Sequence, residues 1–274
     1  EYKSLGSRYA VLGLPIIRGV VNFGESLYIG LKTLSYSSSF YEEEDYEPGK
    51  VEQFFTKIFG DKLESVLMGI TMVISVILAL GIFMVLPFFL TNLMKGFLPS
   101  YSIRTLIEGI IRVALFLIYI WLISKMEDIK RVFMYHGAEH KTINCLEHGE
   151  DLTPENIKKY SRLHKRCGTS FLLIVMIVSI VVFMFIRVDS LVWKFVLRIL
   201  LVPVVAGISY EFIRLAGRSD SKIVNTLSKP GLYLQYFTTR EPDEEMMEVA
   251  IKAVEGVFDW REYLRAMHNG ELED

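Results

Sequence analysis

The sequence predicts an all-α, polytopic helical membrane protein: about four transmembrane helices, with cytoplasmic amphipathic and soluble helices beside them. Three observations carry this expectation. All thirty residues of Ser65–Met94 are uncharged, where about 20 apolar residues suffice to cross the hydrocarbon. A second uncharged run, Thr169–Ile186, has eighteen residues dominated by Ile, Val, Leu and Phe. The 274-residue chain is 51% hydrophobic and 23% charged, with a mean hydropathy of +0.34. That is too apolar for an ordinary soluble domain and too charged for a chain made only of spans.

The elements follow in order. Residues 1–40 read as an N-terminal interfacial segment. Arg18, Asn22, Glu25 and Lys32 share one helical stripe, and Ile16, Val20, Phe23, Leu27 and Leu31 lie away from it. That pattern suits a helix lying in the membrane surface over 9–34 better than a span. Residues 41–62 hold the acidic run Tyr41–Gly49 and read as a solvated linker. Residues 63–217 form the predicted four-span bundle, with spans at 65–94, 103–124, 169–186 and 191–217 and a loop at 125–168. Pro87 is expected to kink or end the first span.

The second and fourth spans carry charge: Arg104, Glu108 and Arg112 in one, Lys194, Arg198, Glu211 and Arg214 in the other. Charge deep in lipid is costly, so these groups belong near the interfaces or facing the protein interior. Arg104, Glu108 and Arg112 share a helix face at i, i+4 and i+8 and can pair in sequence. They form either a snorkelling end or a polar seam. Residues 218–274 read as a cytoplasmic helical tail. Lys229-Pro-Gly231 is expected to turn, and a helix is expected from Pro242 to about Phe258, with Asp243, Glu244 and Glu245 at its positive end.

Composition narrows the function. A net charge of -2 offers no bulk field for nucleic acid, so the expected partner is the lipid bilayer. Two cysteines cannot build a disulfide scaffold. The basic residues concentrate in the N-terminal part, the 125–168 loop and the tail, which places both termini and that loop in the cytoplasm. A homo-oligomer remains open. The sequence begins at Glu1 and gives no reading of targeting signals.

The chemistry concentrates between residues 136 and 167. His136, His140, Cys145, His148, His164 and Cys167 all fall there. Imidazole and thiolate are preferred zinc ligands. His136-Gly-Ala-Glu-His140 puts two imidazoles one turn apart on a helix, with Glu139 between them. The H-x-x-E-H spacing uses its Glu as a general base on water. His164-Lys-Arg-Cys167 follows as a second pair of ligands. Thr153-Pro154 starts a short helix that folds the second pair back onto the first. Cys145 falls on the opposite face from His136, and Glu147 returns to the ligand face. The predicted zinc set is therefore His136, His140, His164 and Cys167, with His148 and Glu211 in reserve. Four protein ligands would close the tetrahedron; three would leave a place for water and make Glu139 catalytic.

Tyr135-His-Gly-Ala-Glu-His-Lys-Thr-Ile-Asn-Cys145 and Arg162-Leu-His-Lys-Arg-Cys-Gly-Thr-Ser-Phe171 resemble the signature blocks of the YqhQ-like family. So do Pro15–Val21 with Glu25–Leu27, and Leu234–Pro242. The resemblance implies a bacterial integral membrane protein of the inner (cytoplasmic) membrane, grouped as a predicted metal-dependent enzyme. The family's Gly-rich opening with Glu-Gly-Val-Met is absent here. The expected function is a zinc-binding integral membrane protein, a metal-dependent hydrolase at the cytoplasmic face. The alternative is a channel, transporter or scaffold in which the metal is structural.

Overall fold

The computed structural model describes residues 9–38, 40, 63–98, 100–188, 190–219 and 221–270. The acidic linker at 41–62 lies outside the described residues. Among the described residues every regular element is helical. Three helical stretches are long and apolar enough to cross a membrane: Val66–Leu93, Tyr101–Ile123 and Val192–Arg218. Only 6% of the most apolar window of Val66–Leu93 is buried by protein. A helix of that composition suits an apolar phase around it, and the described residues hold three such candidate spans in an all-helical chain. The fourth predicted span is a shorter apolar helix, Gly168–Met184.

The chain divides into two compact units, Glu1–Leu115 with Ile180–Gly207, and Phe116–Ser179 with Ile208–Asp274. In the first unit α1 spans Ile17–Ser38. It starts later than the 9–34 expectation because Pro15 and Ile16, the latter at a φ of 69°, stop the helix from extending backwards. Next come α2 (Leu63–Leu80), a wide π turn (Gly81–Val85) and α3 (Leu86–Leu93), which continue one another.

Pro87 neither ends nor breaks this run. Its missing N–H is the one that would have bonded the carbonyl of Phe83, four residues back. The π turn lies over that carbonyl, and the Arg112 Nε donates to it instead at 2.9 Å. Arg112 lies on α4 (Tyr101–Ile123). Glu108, one turn earlier and 2% exposed, accepts from Arg112 Nη2 at 3.2 Å. Arg198, on α8 (Leu191–Arg218), donates to both Glu108 oxygens, one of them at 3.0 Å. The i, i+4 pairing expected for Glu108 and Arg112 is thus a buried seam, while a second helix contributes the fork of Arg198.

The second unit is built on α5 (Glu127–Glu147), the short α6 (Pro154–Ile157) and α10 (Glu244–Glu255). Cys145, Leu146, Leu152, Ile157 and Met247 form its apolar core with Trp260 and Leu264 of α11 (Trp260–His268). The Thr153 hydroxyl caps α6 by accepting from Asn156 N. α7 (Gly168–Met184) and α9 (Lys222–Thr238) complete the set.

Two expectations are corrected here. Residues 229–231 do not turn: α9 runs through Pro230. Ser228, Gly231, Leu234, Gln235 and Thr238 make one buried stripe, and burial of that face overrides the local breaker. A Cβ on Gly231 would lie 2.8 Å from the Ser170 Cβ, so the missing side chain serves close packing on α7. The tail helix begins at Glu244, not Pro242, because the Asp243 carboxylate caps it by accepting from Met246 N at 2.9 Å.

Gly137 fixes the second unit's central contact. The Arg240 N–H donates to the Phe133 carbonyl at 2.8 Å, laying the segment after α9 along α5. A Cβ on Gly137 would meet the Arg240 carbonyl oxygen at 2.0 Å. Gly137→Ala should lower the melting temperature of the detergent-purified protein by roughly 5 °C or more. Gly30→Ala, which meets nothing within 4 Å, should not. Equal melting of the two variants in a thermal unfolding assay would remove this account of the glycine.

Candidate metal centre

α5 carries His136 and His140 one turn apart, with ring centroids separated by 4.4 Å. Each imidazole is oriented by a backbone carbonyl. The His136 Nδ1 lies 2.8 Å from the Thr238 carbonyl, and the His140 Nδ1 lies 2.7 Å from the Arg162 carbonyl. A carbonyl only accepts, so in the neutral form of each ring Nδ1 carries the proton and Nε2 keeps its lone pair; only in the imidazolium form does Nε2 of His136 donate to the Cys167 sulfur. This is the arrangement that second partners impose on metal-binding histidines.

Cys167 closes the group. It sits immediately before α7, and its sulfur accepts from the Thr169 N–H at 3.4 Å, with the Thr169 hydroxyl at 3.1 Å. The His136 Nε2 is 3.4 Å from the same sulfur. One ligand atom from each of His136, His140 and Cys167 lies within 4.8 Å of the others. Tetrahedral zinc with bonds of ~2.0–2.3 Å needs ligand separations of roughly 3.3–3.8 Å, so the donor set fits the ion with small adjustments.

The electrostatics agree with the geometry. Burial pushes the Cys167 thiol up, but hydrogen bonds from His136, His140 and Thr169 outweigh it and hold the group at about 5. Burial works against the His136 imidazolium, yet the hydrogen bond and charge of Cys167 raise its pKa. Burial pushes the His164 imidazole down. Burial also pushes the Cys145 thiol up to about 11, as suits a sulfur in the apolar core.

The other predicted ligands lie outside the three-ligand group, His164 on the same cleft with its ring 5.9 Å from that of His140. His164 lies 3.2 Å from a Glu147 oxygen through its Nε2, and Arg166 pairs with the other oxygen of Glu147. His148 ends α5, its Nδ1 2.6 Å from the Asn144 carbonyl and its ring beside Tyr160. Glu211 is half-buried on α8 and outside the three-ligand group. Glu139 is exposed and lines a cleft of about 450 Å³ with His136, His140, Glu147, His164 and Cys167.

Several groups that build the site had no metal-ligand signature in the sequence. Gln235, fully buried, bonds both the His164 carbonyl and the Ser170 hydroxyl through Nε2, and accepts from the His164 N–H through Oε1. Asn144 donates to the carbonyls of Ser161 and Leu163. Arg162 donates to the Thr239 carbonyl, and the buried Lys141 pairs with Glu241 at 2.9 Å. Together they pin the 158–167 loop to α5 and α9, which brings Cys167 to the histidines. Their sequence signal is membership of the quoted blocks: Lys141 and Asn144 in Tyr135–Cys145, Arg162 in Arg162–Phe171, and Gln235 and Glu241 in Leu234–Pro242.

Comparison with known proteins agrees with the sequence blocks. Residues 14–260 match the family described as "Protein of unknown function (DUF1385)". The chain is 37% identical over 241 residues to the "Uncharacterized protein YqhQ" of Bacillus subtilis (strain 168), covering 88% of this chain and 76% of that protein. No solved structure matches. On the extent of both matches, the chain belongs to the DUF1385 family.

Proposed function

We propose that the protein is a zinc-binding integral membrane enzyme, a metal-dependent hydrolase working at the cytoplasmic face. The observation that carries this is the commitment of both Nδ1–H groups to carbonyls, which leaves two imidazole lone pairs beside one thiolate. His136, His140 and Cys167 would hold the ion. Zinc so bound supplies Lewis acidity toward a carbonyl or water, with its fourth position available. Glu139, on the wall of the same cleft, would take the proton from the attacking water. Arg166 and His164 hold Glu147 on the opposite part of that wall.

In this reading α7 is the fourth span. Its 17 residues reach about 25 Å, near the shortest length that crosses a bilayer. The basic loop at 125–168 and both termini then face the cytoplasm of a bacterium, across its inner membrane. A second reading has one observation in its favour. His140 and Cys167 are 4% and 6% exposed, as ligands of a structural staple are. There zinc would tie α5 to the start of α7 in a scaffold, channel or transporter.

Three measurements test these readings. Elemental analysis of the detergent-purified protein should find about one zinc per chain, lost in His140→Ala and in Cys167→Ser but kept in Glu139→Gln. Zinc-free wild type would remove both readings. Chelation should leave the melting temperature nearly unchanged if the ion is catalytic and lower it strongly if it is structural. Alkylation of chelated protein at pH 7.5, followed by peptide mass spectrometry, should label Cys167 and spare Cys145, whose thiol sits at about 11. Added zinc should protect Cys167. Identical labelling with and without zinc would show that the sulfur is not a ligand.

A further inference from the structure

The first unit carries a second polar site of a different kind. A cleft of about 370 Å³ opens where α3 ends and α4 and α8 begin. Lys95, Arg104 and Lys194 line it with Asn92, Tyr101 and Glu108. The charges do not balance. Glu108 is the one carboxylate among the described lining residues, and it already accepts from Arg112 and from both nitrogens of the Arg198 fork. Lys194 reaches it at 3.6 Å and lies over the rings of Phe88 and Tyr101 at 4.8 and 5.5 Å.

Arg104 and Lys95 are then surplus. Neither enters an ion pair among the described residues, and the Arg104 Nε is buried with no hydrogen-bond partner. A guanidinium nitrogen without solvent or acceptor is costly beside apolar helices, and an anion removes that cost. The donors are suited to one. Arg104 offers a planar fork, Lys95 and Lys194 offer ammonium groups, and α4 and α8 both begin here with their positive ends. The Thr91 and Thr105 hydroxyls take no part as donors, since they bond the carbonyls of Pro87 and Tyr101.

We propose that the cleft formed by Lys95, Arg104 and Lys194 binds a phosphate group, either the headgroup of an anionic phospholipid or a free phosphate. Its bulk and charge match a fork plus two ammonium groups better than a halide would. Glu108 keeps Lys194, Arg112 and Arg198 in place and marks the floor of the site. The site is independent of the histidine and cysteine cluster and needs no metal.

The experiment uses the full chain in non-ionic detergent without phosphate. Melting temperature is followed while phosphatidylglycerol micelles or inorganic phosphate are titrated, with chloride at equal ionic strength as control. A saturable rise with phosphatidylglycerol alone identifies a lipid headgroup, and a rise with inorganic phosphate as well identifies a free phosphate. Chloride should give neither. Arg104→Gln and Lys95→Gln should each raise the half-saturating concentration about tenfold. Lys95 is on an exposed turn, so Lys95→Gln decides the matter if Arg104→Gln does not fold. No saturable rise in wild type with either probe, or an unchanged half-saturation in Lys95→Gln, overturns the proposal.

Discussion

The second unit depends on two hydrogen bonds, those from the His136 and His140 Nδ1 groups to the carbonyls of Thr238 and Arg162. Each carbonyl belongs to a different segment. Thr238 is the last residue of α9, and Arg162 lies in the loop that leads to α7. The rings therefore sense the placement of two distant stretches of chain, and those stretches are held to α5 by the same bonds. Orientation of the imidazoles thus depends on where both stretches lie.

Much of the surrounding design keeps backbone close to α5. Gly137 admits the Arg240 carbonyl, and Gly231 admits Ser170. Gln235 commits both its donors and one acceptor bond to the loop before Cys167 and to α7. None of these residues belongs to the three-ligand group, yet each sets where a ligand sits. The cysteine gains further from standing just before α7, where the Thr169 N–H meets its sulfur.

What the sequence revealed was periodic or chemically rare. The long helix from the uncharged run at Ser65 follows from length and composition, and the one-turn spacing of His136 and His140 and the opposite-face placement of Cys145 follow from 3.6-residue geometry; all three hold in the structure. Thr153-Pro154 opens a helix as its local chemistry demands. Tertiary burial was less legible. Pro230 and Gly231 signal a turn to any local reading, yet a stripe of small and polar residues packs well enough to keep the helix going. His164 carries the right donor atom, but its contact with Glu147, whose other oxygen Arg166 holds, depends on the folded loop and has no local sequence signal.

The Phe83 carbonyl, left over by Pro87, links two helices in a way their sequences do not announce. A proline removes one donor from α3, and a guanidinium on α4 restores it at Phe83. Sliding either helix by a residue would break that bond. The two helices are thus indexed against each other like teeth on facing gears. Loss of Arg112 would take away the donor that answers the proline, so the register of this pair of helices rests on both residues together.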